Sequence, residues 1–327
     1  MTARTLVISV PDCANHDTGP GHPENARRLE ALLAAVDNTL PETRGLIQRG
    51  DGRHATHDEL ALAHLTSHIE LIQEAARGAR ESGSVLFLDP DTAVSPRSWE
   101  AATAAAGSVL TAIDAVLDSS AMNAFCAVRP PGHHATAERA MGFCLFNNVA
   151  IGARYAQRVG LRRVLIIDWD VHHGNGTEEI FYADPDVFYL SMHQSPHYPG
   201  TGASSHRGTG PGEGMTLNLP VPPNLLAERY VEELLGGLES VLSDFSPDII
   251  FISAGFDAAY GDPLAGLTLT PMEYHRLTRR VTDIAASTCN GRVISLLEGG
   301  YDLDLLAACG LAHIHALAGL DYPKPNS

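Results

Sequence analysis

Between residues 164 and 176 the chain reads Val164-Leu-Ile-Ile-Asp-Trp-Asp-Val-His-His-Gly-Asn-Gly176, an apolar run that changes abruptly into acidic and imidazole side chains. In extended chain, residues two apart point to the same side, so Asp170 and His172 can both reach one ion from a strand end. Carboxylate oxygens and imidazole nitrogens are ordinary Zn²⁺ ligands, and a third protein ligand plus water would complete a catalytic site. The stretch therefore predicts a buried strand that ends in a metal site rather than in a solvated turn.

Apolar strands and helical segments alternate along the rest of the chain. Strands are predicted at residues 6–10, 125–128, 164–168, 187–191, 216–219, 248–253 and 292–297. Helices are predicted near residues 26–36, 58–79, 95–117, 147–159, 225–245 and 270–286, with one more after residue 301. Such alternation requires right-handed crossovers, so we predict an α/β fold with an open, mostly parallel sheet and helices on both faces. No linker divides the 327 residues, so we expect one domain over residues 1–327.

The balance of charge limits the partners that the protein can bind. Lys and Arg total 22 against 39 Asp and Glu, which gives a formal net charge of -17. Nucleic acids and anionic membranes require a basic face, which this composition would struggle to build. We therefore expect no nucleic-acid and no membrane partner, and we expect cationic ligands to be favoured.

The cysteines and the N-terminus indicate the compartment and the type of metal ligand. The 5 cysteines are scattered without a Cys-x-x-Cys pair, so neither a thiolate zinc knuckle nor a disulfide framework is indicated. Any metal must then use Asp and His. The N-terminal apolar run is too short for a signal peptide, and no segment approaches the length of a membrane span. These features predict a cytoplasmic protein.

Polar groups follow several of the predicted strands. In open parallel sheets, ligands bind beyond the carboxyl ends of the strands. Four apolar strands end in such groups, namely His133-His134, Asp168-Asp170-His172, Asp257 and Tyr301. Asp257 is the natural third metal ligand, because Ala254-Gly255 before it lets the backbone and an ion approach closely. Taken alone, Asp257 would equally suit the N-cap of a helix.

His133 and His134 form a paired imidazole after the stiff turn Pro130-Pro131-Gly132. Imidazoles titrate near neutral pH, so the pair is suited to hold and shuttle the proton of a metal-activated water. Asp168 and Asn175 can orient the two rings by accepting hydrogen bonds from them. These four side chains are the candidate proton-transfer group.

Two loops at this edge can complete the site. Tyr301 follows the flexible pair Gly299-Gly300 and can donate to a developing oxyanion, although a lone tyrosine more often serves packing. Residues 195–214 form a long loop rich in Gly, Ser and Pro, of the kind that forms active-site walls or a surface excursion.

His64 and His68 lie four residues apart, but no glutamate follows His64 and no third ligand is near. Helix histidines without a metal are therefore expected there.

Four motifs in this order resemble the zinc-dependent histone deacetylase superfamily. They are Arg129-Pro-Pro-Gly-His-His-Ala135, Asp168-Trp-Asp-Val-His-His-Gly-Asn175, Ser253-Ala-Gly-Phe-Asp-Ala258 and Glu298-Gly-Gly-Tyr301. The resemblance spans nearly the whole chain. It is closest to the class II branch, with its bacterial deacetylase-like and acetylpolyamine amidohydrolase relatives, because Asn175 stands where class I members carry aspartate. It implies the arginase-like α/β fold and hydrolysis of an N-acyl amide to a carboxylate and a primary amine.

The resemblance also implies a role for each motif residue. The zinc ion would be held by Asp170, His172 and Asp257. His134 would be the main general base and then acid, and His133 its electrostatic partner tied to Asp168. Tyr301 would bind the carbonyl oxygen of the substrate.

Further positions match the substrate tunnel of the superfamily. Gly142-Phe143 and Tyr198 match the segments whose two aromatic rings wall the acyl-lysine tunnel, although the family often has phenylalanine at the second. Asp91 would be the acid at the rim that holds the substrate backbone. Leu264 matches a glutamate of the polyamine-specific relative that attracts the distal ammonium, whereas lysine deacetylase relatives have leucine there. This residue therefore favours lysine substrates.

Potassium is implied at two further places. The first site would use the Ser191 hydroxyl, the Met192 carbonyl, and Asp168 with the backbone of Asp170 and His172. The second site would lie around Phe181, Asp184 and Val187. Neither set is indicated by spacing alone.

Three hypotheses on function follow. The leading one is a deacylase that acts on acyl-lysine in proteins or peptides, and the nearest enzymatic alternative is an acetylpolyamine amidohydrolase. A non-catalytic acyl-lysine binding module is a third reading. It is disfavoured because such a protein would be expected to lack a metal ligand or the tyrosine, and this chain has all of them.

Overall fold

An eight-stranded parallel sheet is the main element of the computed structural model, which describes residues 3–322. The strands in chain order are β1 (Ala3–Ser9), β2 (Ile47–Asp51), β3 (Leu86–Phe87), β4 (Ala93–Val94), β5 (Ala121–Cys126), β6 (Val164–Asp168), β7 (Val187–Gln194), β8 (Thr216–Val221), β9 (Ile249–Ala254) and β10 (Val293–Leu297). Strands β3 and β4 pair as a separate antiparallel hairpin, and the other eight have the order β2-β1-β5-β10-β9-β6-β7-β8. All neighbours in this sheet are parallel, which confirms the predicted fold class.

Helices cover both faces of the sheet. In chain order they are α1 (Ala26–Thr39), α2 (His57–Leu60), α3 (Thr66–Ser82), α4 (Ser98–Leu117), α5 (Asn148–Arg158), α6 (Asn175–Phe181), α7 (Ala227–Asp244), α8 (Pro271–Thr288) and α9 (Leu303–Leu317). Every residue of β6, β9 and β10 is buried. Because successive side chains of a strand point to opposite faces, neither face of the sheet centre is open to solvent. This burial explains why these strands read as continuous apolar runs.

Two helices differ from the prediction. Residues 58–79 form two helices, α2 and α3, instead of one. Between them the Leu65 N–H binds the Ala137 carbonyl at 3.0 Å, so the backbone is not helical at this point. Helix α4 begins at Ser98 rather than at residue 95, since the Ser98 hydroxyl accepts the Ser95 N–H at 2.7 Å and closes a turn there. The short helix α6 and the edge strand β2 are absent from the prediction.

Helix α4 is long and apolar enough to cross a membrane by length and composition. The expectation that no segment approaches that length was therefore wrong. However, 78% of its most apolar window is buried inside the protein, as in a core helix. Close packing of this helix depends on Gly107, where a Cβ atom would lie 2.1 Å from the Arg53 carbonyl oxygen.

The carboxyl ends of β5, β10, β9 and β6 lie side by side. In the register of the sheet, Asp168 at the end of β6 is level with Ser253 of β9 and Ser191 of β7. The segments that follow these four central strands contain all four of the motifs quoted above. The strand order alone therefore brings the candidate residues to one edge of the sheet.

Candidate active site

Three side chains form a compact group that can hold a metal ion. One ligand atom from each of Asp170, His172 and Asp257 lies within 4.8 Å of the others, and all three residues are buried. Among residues 3–322, no other group of three His, Cys, Asp or Glu side chains meets this condition. The Nδ1 atom of His172 faces both carboxylates, at 3.0 Å from Asp170 Oδ1 and 3.2 Å from Asp257 Oδ2. Two carboxylates and one imidazole thus converge as the sequence predicts.

Two glycines make room for the carboxylates. A Cβ atom at Gly255 would lie 2.2 Å from Asp170 Oδ2, and one at Gly299 would lie 2.0 Å from Asp257 Oδ2. Backbone amides also orient the two side chains. The Gly299 N–H donates to Asp170 Oδ2 at 2.7 Å, and the Val171 N–H donates to Asp257 Oδ1 at 2.9 Å. Each carboxylate therefore has a fixed direction before any ion binds.

The group fits a cation. Asp257 Oδ2 is buried and makes no hydrogen bond, although His172 Nδ1 lies 3.2 Å from it. Burial and the neighbouring Asp170 carboxylate raise the pKa of Asp257 to about 7. Two buried like charges at this separation repel each other, and a bound cation would offset that repulsion. An oxygen, nitrogen and oxygen donor set suits a divalent metal of the zinc type.

The histidine pair lies beside this group, with ring centroids 4.0 Å apart. His133 Nδ1 donates to Asp168 Oδ2 at 3.1 Å, and His134 Nδ1 donates to Asn175 Oδ1 at 2.9 Å. Because both acceptors are oxygens, Nδ1 carries the proton on each ring, and Nε2 of a neutral ring is left as an acceptor. The two residues predicted to orient the pair therefore do contact it.

The two imidazoles have opposite protonation preferences. Burial lowers the pKa of His133, but the carboxylates of Asp168 and Asp170 outweigh it and raise the value to about 10. Burial and the positive charge of His133 lower the pKa of His134 well below its ordinary value. A neighbouring pair whose pKa values are pushed apart can supply one charged group and one neutral base.

Further residues support the pair without having been assigned a role from the sequence. The Tyr189 hydroxyl donates to Asp168 Oδ2 at 2.9 Å. Glu298 accepts the backbone N–H groups of Gly132 and His133 at 2.7 and 3.2 Å. Glu298 lies within a quoted motif, whereas Tyr189 lies on β7, far from His133 in sequence. Only the folded sheet shows that these side chains fix the turn and the carboxylate.

A cavity of about 260 Å³ reaches His172, one of the three candidate metal ligands. It is lined by Asp91, His134, Gly142, Phe143, His172, His197, Tyr198, Leu264 and Tyr301. All five residues predicted to contact substrate are in this set. The Tyr198 ring stands edge-on to His134 with centroids 5.2 Å apart, and the Phe143 ring stands edge-on to Tyr301 at 5.9 Å. The two aromatic residues thus form walls of one cavity.

His197 also lines the cavity, although no motif in the sequence singled it out. Its ring stacks on His172 with centroids 4.8 Å apart and an interplanar angle of 17°. Its Nε2 donates to the Leu264 carbonyl at 2.9 Å. Burial lowers the pKa of His197, so a neutral ring links the two sides of the cavity.

Tyr301, which lines the cavity, is held by contacts of its backbone and ring. Its backbone N–H donates to Asp262 at 2.7 Å. The Arg28 guanidinium lies 4.9 Å from the centre of the Tyr301 ring and donates to the Gly300 and Glu298 carbonyls, both at 2.6 Å. Burial and the Asp257 carboxylate raise the pKa of Tyr301 well above its ordinary value, so its hydroxyl remains a donor.

A buried ion network anchors Arg28. Glu24 pairs with Arg28 at 3.0 Å and with Arg129 through both of its oxygens, and all three side chains are fully buried. Arg129 also donates to the backbone carbonyls of Cys13 and His16. This network joins the start of α1 to the turn that carries the histidine pair.

The residues considered for potassium fall in two places. Asp168 and Ser191 are neighbours in the sheet register, and the Ser191 hydroxyl contacts His193 Nδ1 at 2.9 Å. The Met192 carbonyl accepts the Tyr230 hydroxyl at 3.3 Å.

The second set includes Asp184, whose N–H donates to the Phe181 carbonyl at 2.9 Å and whose carboxylate pairs with Arg154. Val187 begins β7 close by in sequence. The acidic side chain of Asp184 is therefore already neutralised by Arg154.

His64 and His68 each bind a backbone group of the segment before α5. His64 Nε2 accepts the Asn147 N–H at 2.8 Å, and His68 Nε2 donates to the Leu145 carbonyl at 2.8 Å. Both rings are buried beside Phe146. They hold the segment before α5 in place.

Comparison with known proteins gives a consistent result. The histone deacetylase domain model matches residues 22–317. Histone deacetylase 14, chloroplastic, of Arabidopsis thaliana is 39% identical over 97% of this chain and 77% of its own length. A protein named "Probable deacetylase" of Archaeoglobus fulgidus is 37% identical over 97% of this chain and 87% of its own length.

A solved structure has the same fold. The crystal structure of the HDA15 HD domain matches with a TM-score of 0.90 and 36% identity, covering 99% of this chain and 91% of that chain. The match to the arginase-like α/β fold therefore extends over the sheet and the loops that carry the candidate site. On the strength of the domain match, the relatives and the fold, the chain belongs to the histone deacetylase family and is a hydrolase of amide bonds.

Proposed function

We propose that the protein is a zinc-dependent deacylase that hydrolyses the N-acetyl or related N-acyl amide of lysine side chains in proteins or peptides. The products would be acetate, or the matching carboxylate, and the free amine. The observation that carries this proposal is the position of one cavity. His172 of the Asp170, His172 and Asp257 group lines it, together with His134 and Tyr301.

Asp170, His172 and Asp257 would hold the zinc ion. Bound there, zinc would polarise the substrate carbonyl and lower the pKa of the attacking water. The protein itself supplies the direction of these ligands through the amides of Gly299 and Val171. Proton transfer and binding of the carbonyl oxygen would be carried out by side chains of the protein.

His134 is the proposed general base and then general acid. Its low pKa and its Nδ1–H bond to Asn175 leave Nε2 free to take a proton from water. The same nitrogen then gives the proton to the leaving amine. His133 stays protonated beside Asp168 and contributes a fixed positive charge near the developing negative charge.

Tyr301 is the proposed donor to the carbonyl oxygen. The raised pKa keeps its hydroxyl protonated, and Arg28 and Asp262 fix the backbone on both sides of it. A donor held in this way needs no reorganisation when charge develops on the substrate oxygen.

The cavity walls support an extended acyl-lysine stem. Phe143 and Tyr198 provide apolar ring faces, and Gly142 lets the Phe143 segment approach His134, because a Cβ atom at Gly142 would lie 2.5 Å from His134 Cδ2. Asp91 at the mouth can accept the backbone N–H of a peptide substrate. Leu264 offers apolar contact where an acidic side chain would attract a distal ammonium.

The second candidate is an acetylpolyamine amidohydrolase. The net charge of -17 favours it, because it steers any polycation toward the protein. Leu264 supports the lysine substrate instead. Diffuse steering weakens at high salt more than a sheltered contact does, so ionic strength separates the two effects.

Potassium is proposed as a structural ion near Asp168, Ser191 and Met192. The Ser191 hydroxyl can donate to His193 and keep its lone pairs for a cation. The second proposed site, around Phe181, Asp184 and Val187, has weaker support because Arg154 already pairs with Asp184.

One experiment tests the proposal. The zinc content of the purified protein is measured, and hydrolysis of acetyl-lysine peptides, acetylspermidine and acetylputrescine is compared with and without a chelator. Asp257→Asn should lose both zinc and activity. Asp37→Asn, at an exposed carboxylate of α1 paired with Arg49, is the matched control and should lose neither. Chelator-resistant activity would refute the zinc assignment, and faster turnover of acetylspermidine than of every acyl-peptide would favour the polyamine alternative.

A further inference from the structure

The loop of residues 195–214 carries Tyr198 and His197 into the cavity, but it has little packing of its own. A cleft of about 520 Å³ lies along this loop, and nine of its ten lining residues fall between Ser195 and His206. Tyr198 itself is 40% exposed. With so few packed neighbours, the position of the loop depends on a small number of specific contacts.

Two imidazoles provide such contacts at consecutive residues of the loop. His173 Nδ1 lies 2.7 Å from the Thr201 hydroxyl, and His193 Nε2 lies 3.0 Å from the Gly202 carbonyl oxygen. The two rings are buried and their centroids are 4.7 Å apart. Both histidines are rigidly placed, since His173 follows the metal ligand His172 and His193 belongs to β7.

Further partners of these two rings fix their orientation. His173 Nε2 donates to the Glu178 carboxylate at 3.2 Å, and Nδ1 of the same ring forms a hydrogen bond with the Thr201 hydroxyl at 2.7 Å. His193 Nε2 must donate to the Gly202 carbonyl, so its Nδ1 accepts from Ser191. Each ring therefore uses both of its nitrogens, one for the loop and one for a fixed partner.

The backbone of the loop rests directly on both rings. Gly202 has φ +82°, and a Cβ atom there would lie 2.4 Å from His193 Nε2 and 2.6 Å from His173 Cγ. A side chain at this position would both strain the backbone and push the loop away from the rings. Close contact and hydrogen bonding thus act at the same two residues.

The contacts of His173 and His193 with Thr201 and Gly202 form a joint between the loop and the sheet. Glu178 connects this joint to the rest of the protein. It is buried on α6, the helix that begins with Asn175, and it accepts from Asn218 of β8 as well as from His173. His206, further along the loop, lies 3.4 Å from its other oxygen. The joint is therefore tied to the same helix whose first residue orients His134.

We propose that His173 and His193 are positioning residues that hold the loop at Thr201 and Gly202 and so keep Tyr198 in place as a wall of the cavity. Tyr198 lies three residues before Thr201, and its ring packs against His134. The inference rests on the proposed function, because the wall matters only if an acyl-lysine stem occupies the cavity. It assigns a role to His173, the histidine of the Asp168–Asn175 motif that is neither a candidate metal ligand nor a proposed proton-transfer residue.

The test uses the zinc-loaded full chain and changes only the exposed end of the contact. Thr201→Val keeps the shape and removes the hydroxyl, whereas Thr201→Ser keeps the hydroxyl. For an acetyl-lysine peptide, Thr201→Val should raise KM about fivefold with kcat within about twofold, since a wall contacts substrate equally in the ground and transition states. Fivefold corresponds to about 1 kcal/mol, the usual net value of one hydrogen bond.

Thr201→Ser should restore the wild-type KM. Thr209→Val, in the same loop at a residue whose side chain makes no capping hydrogen bond, is the matched control and should leave KM unchanged. Hydrogen exchange should become faster across residues 196–203 in Thr201→Val only. Equal KM and equal exchange for the Val and Ser variants would overturn the inference. If the wild type hydrolyses no acyl-lysine substrate, the proposed function fails, and the exchange comparison still decides whether the joint holds the loop.

Discussion

Removing one oxygen atom from Tyr301 is the sharpest test of the proposed chemistry. In Tyr301→Phe the ring remains, and its edge-on contact with Phe143, at 5.9 Å between centroids, and its contact with Arg28, at 4.9 Å, are preserved. The backbone bond from Tyr301 to Asp262 is also unaffected. The substitution therefore removes the donor without loosening the loop, so the measured effect belongs to the hydroxyl.

The expected loss is large and falls on kcat. One donor to a developing oxyanion contributes on the order of 3 to 4 kcal/mol, which corresponds to about 100- to 1000-fold. The hydroxyl contacts the substrate oxygen most strongly once charge has developed, so KM should change by no more than about threefold. The loss should appear with every acyl substrate, because the donor acts on the carbonyl rather than on the chain.

Steady-state kinetics on an acetyl-lysine peptide, with zinc content measured on the same samples, decide the question. Tyr260→Phe is the control, because Tyr260 is 72% exposed and lies on the loop after Asp257. It should behave as wild type. A Tyr301→Phe enzyme with wild-type kcat and full zinc content would return Tyr301 to a packing role and refute the oxyanion argument.

Further variants test the other parts of the site. Leu264→Glu should shift kcat/KM toward acetylspermidine by about 10-fold or more while Leu264→Gln does not, because only the carboxylate can pair with a distal ammonium; equal effects of the two would exclude charge as the cause. Gly299→Ala should abolish zinc binding, since its Cβ atom would lie 2.0 Å from Asp257 Oδ2, whereas Gly236→Ala, with no atom within 4 Å, should keep full zinc content. Glu24→Gln should lower the free energy of unfolding by about 3 kcal/mol at pH 7, because Arg129 and Arg28 outweigh burial and lower the pKa of Glu24 from 4.5 to about 2. That stabilisation is complete above pH 4.5 and is lost as the pH falls toward 2, so a difference in urea unfolding that did not shrink on acidification would contradict it.

The central strands could be predicted because burial on both faces leaves continuous apolar runs. Strand β2 could not, since Ile47 is the one buried residue of its five and the segment carries almost no apolar pattern. Helix α6 was hidden for another reason. It begins at Asn175, inside the Asp168–Asn175 motif, so its first residues read as a site and not as a helix.

The residues of the candidate site also divide into those that the sequence could reveal and those that only the folded structure reveals. Those in motifs at strand ends could be selected because acidic and imidazole groups interrupt apolar sequence there. His197 and Arg28 could not, since each acts through a contact with a distant part of the chain. His197 binds the carbonyl of Leu264, 67 residues away, and Arg28 binds that of Gly300, 272 residues away. Spacing within a segment carries no signal for such contacts.

The strand order has a consequence for how the protein folds. Val171 and Asp257 meet although 86 residues separate them, and this contact exists only when β9 has inserted between β6 and β10. Closing loops of this length before their contacts form makes folding slow. A metal ion has no site to bind until those crossovers are complete. It therefore cannot raise the folding rate, and its effect will be to lower the unfolding rate.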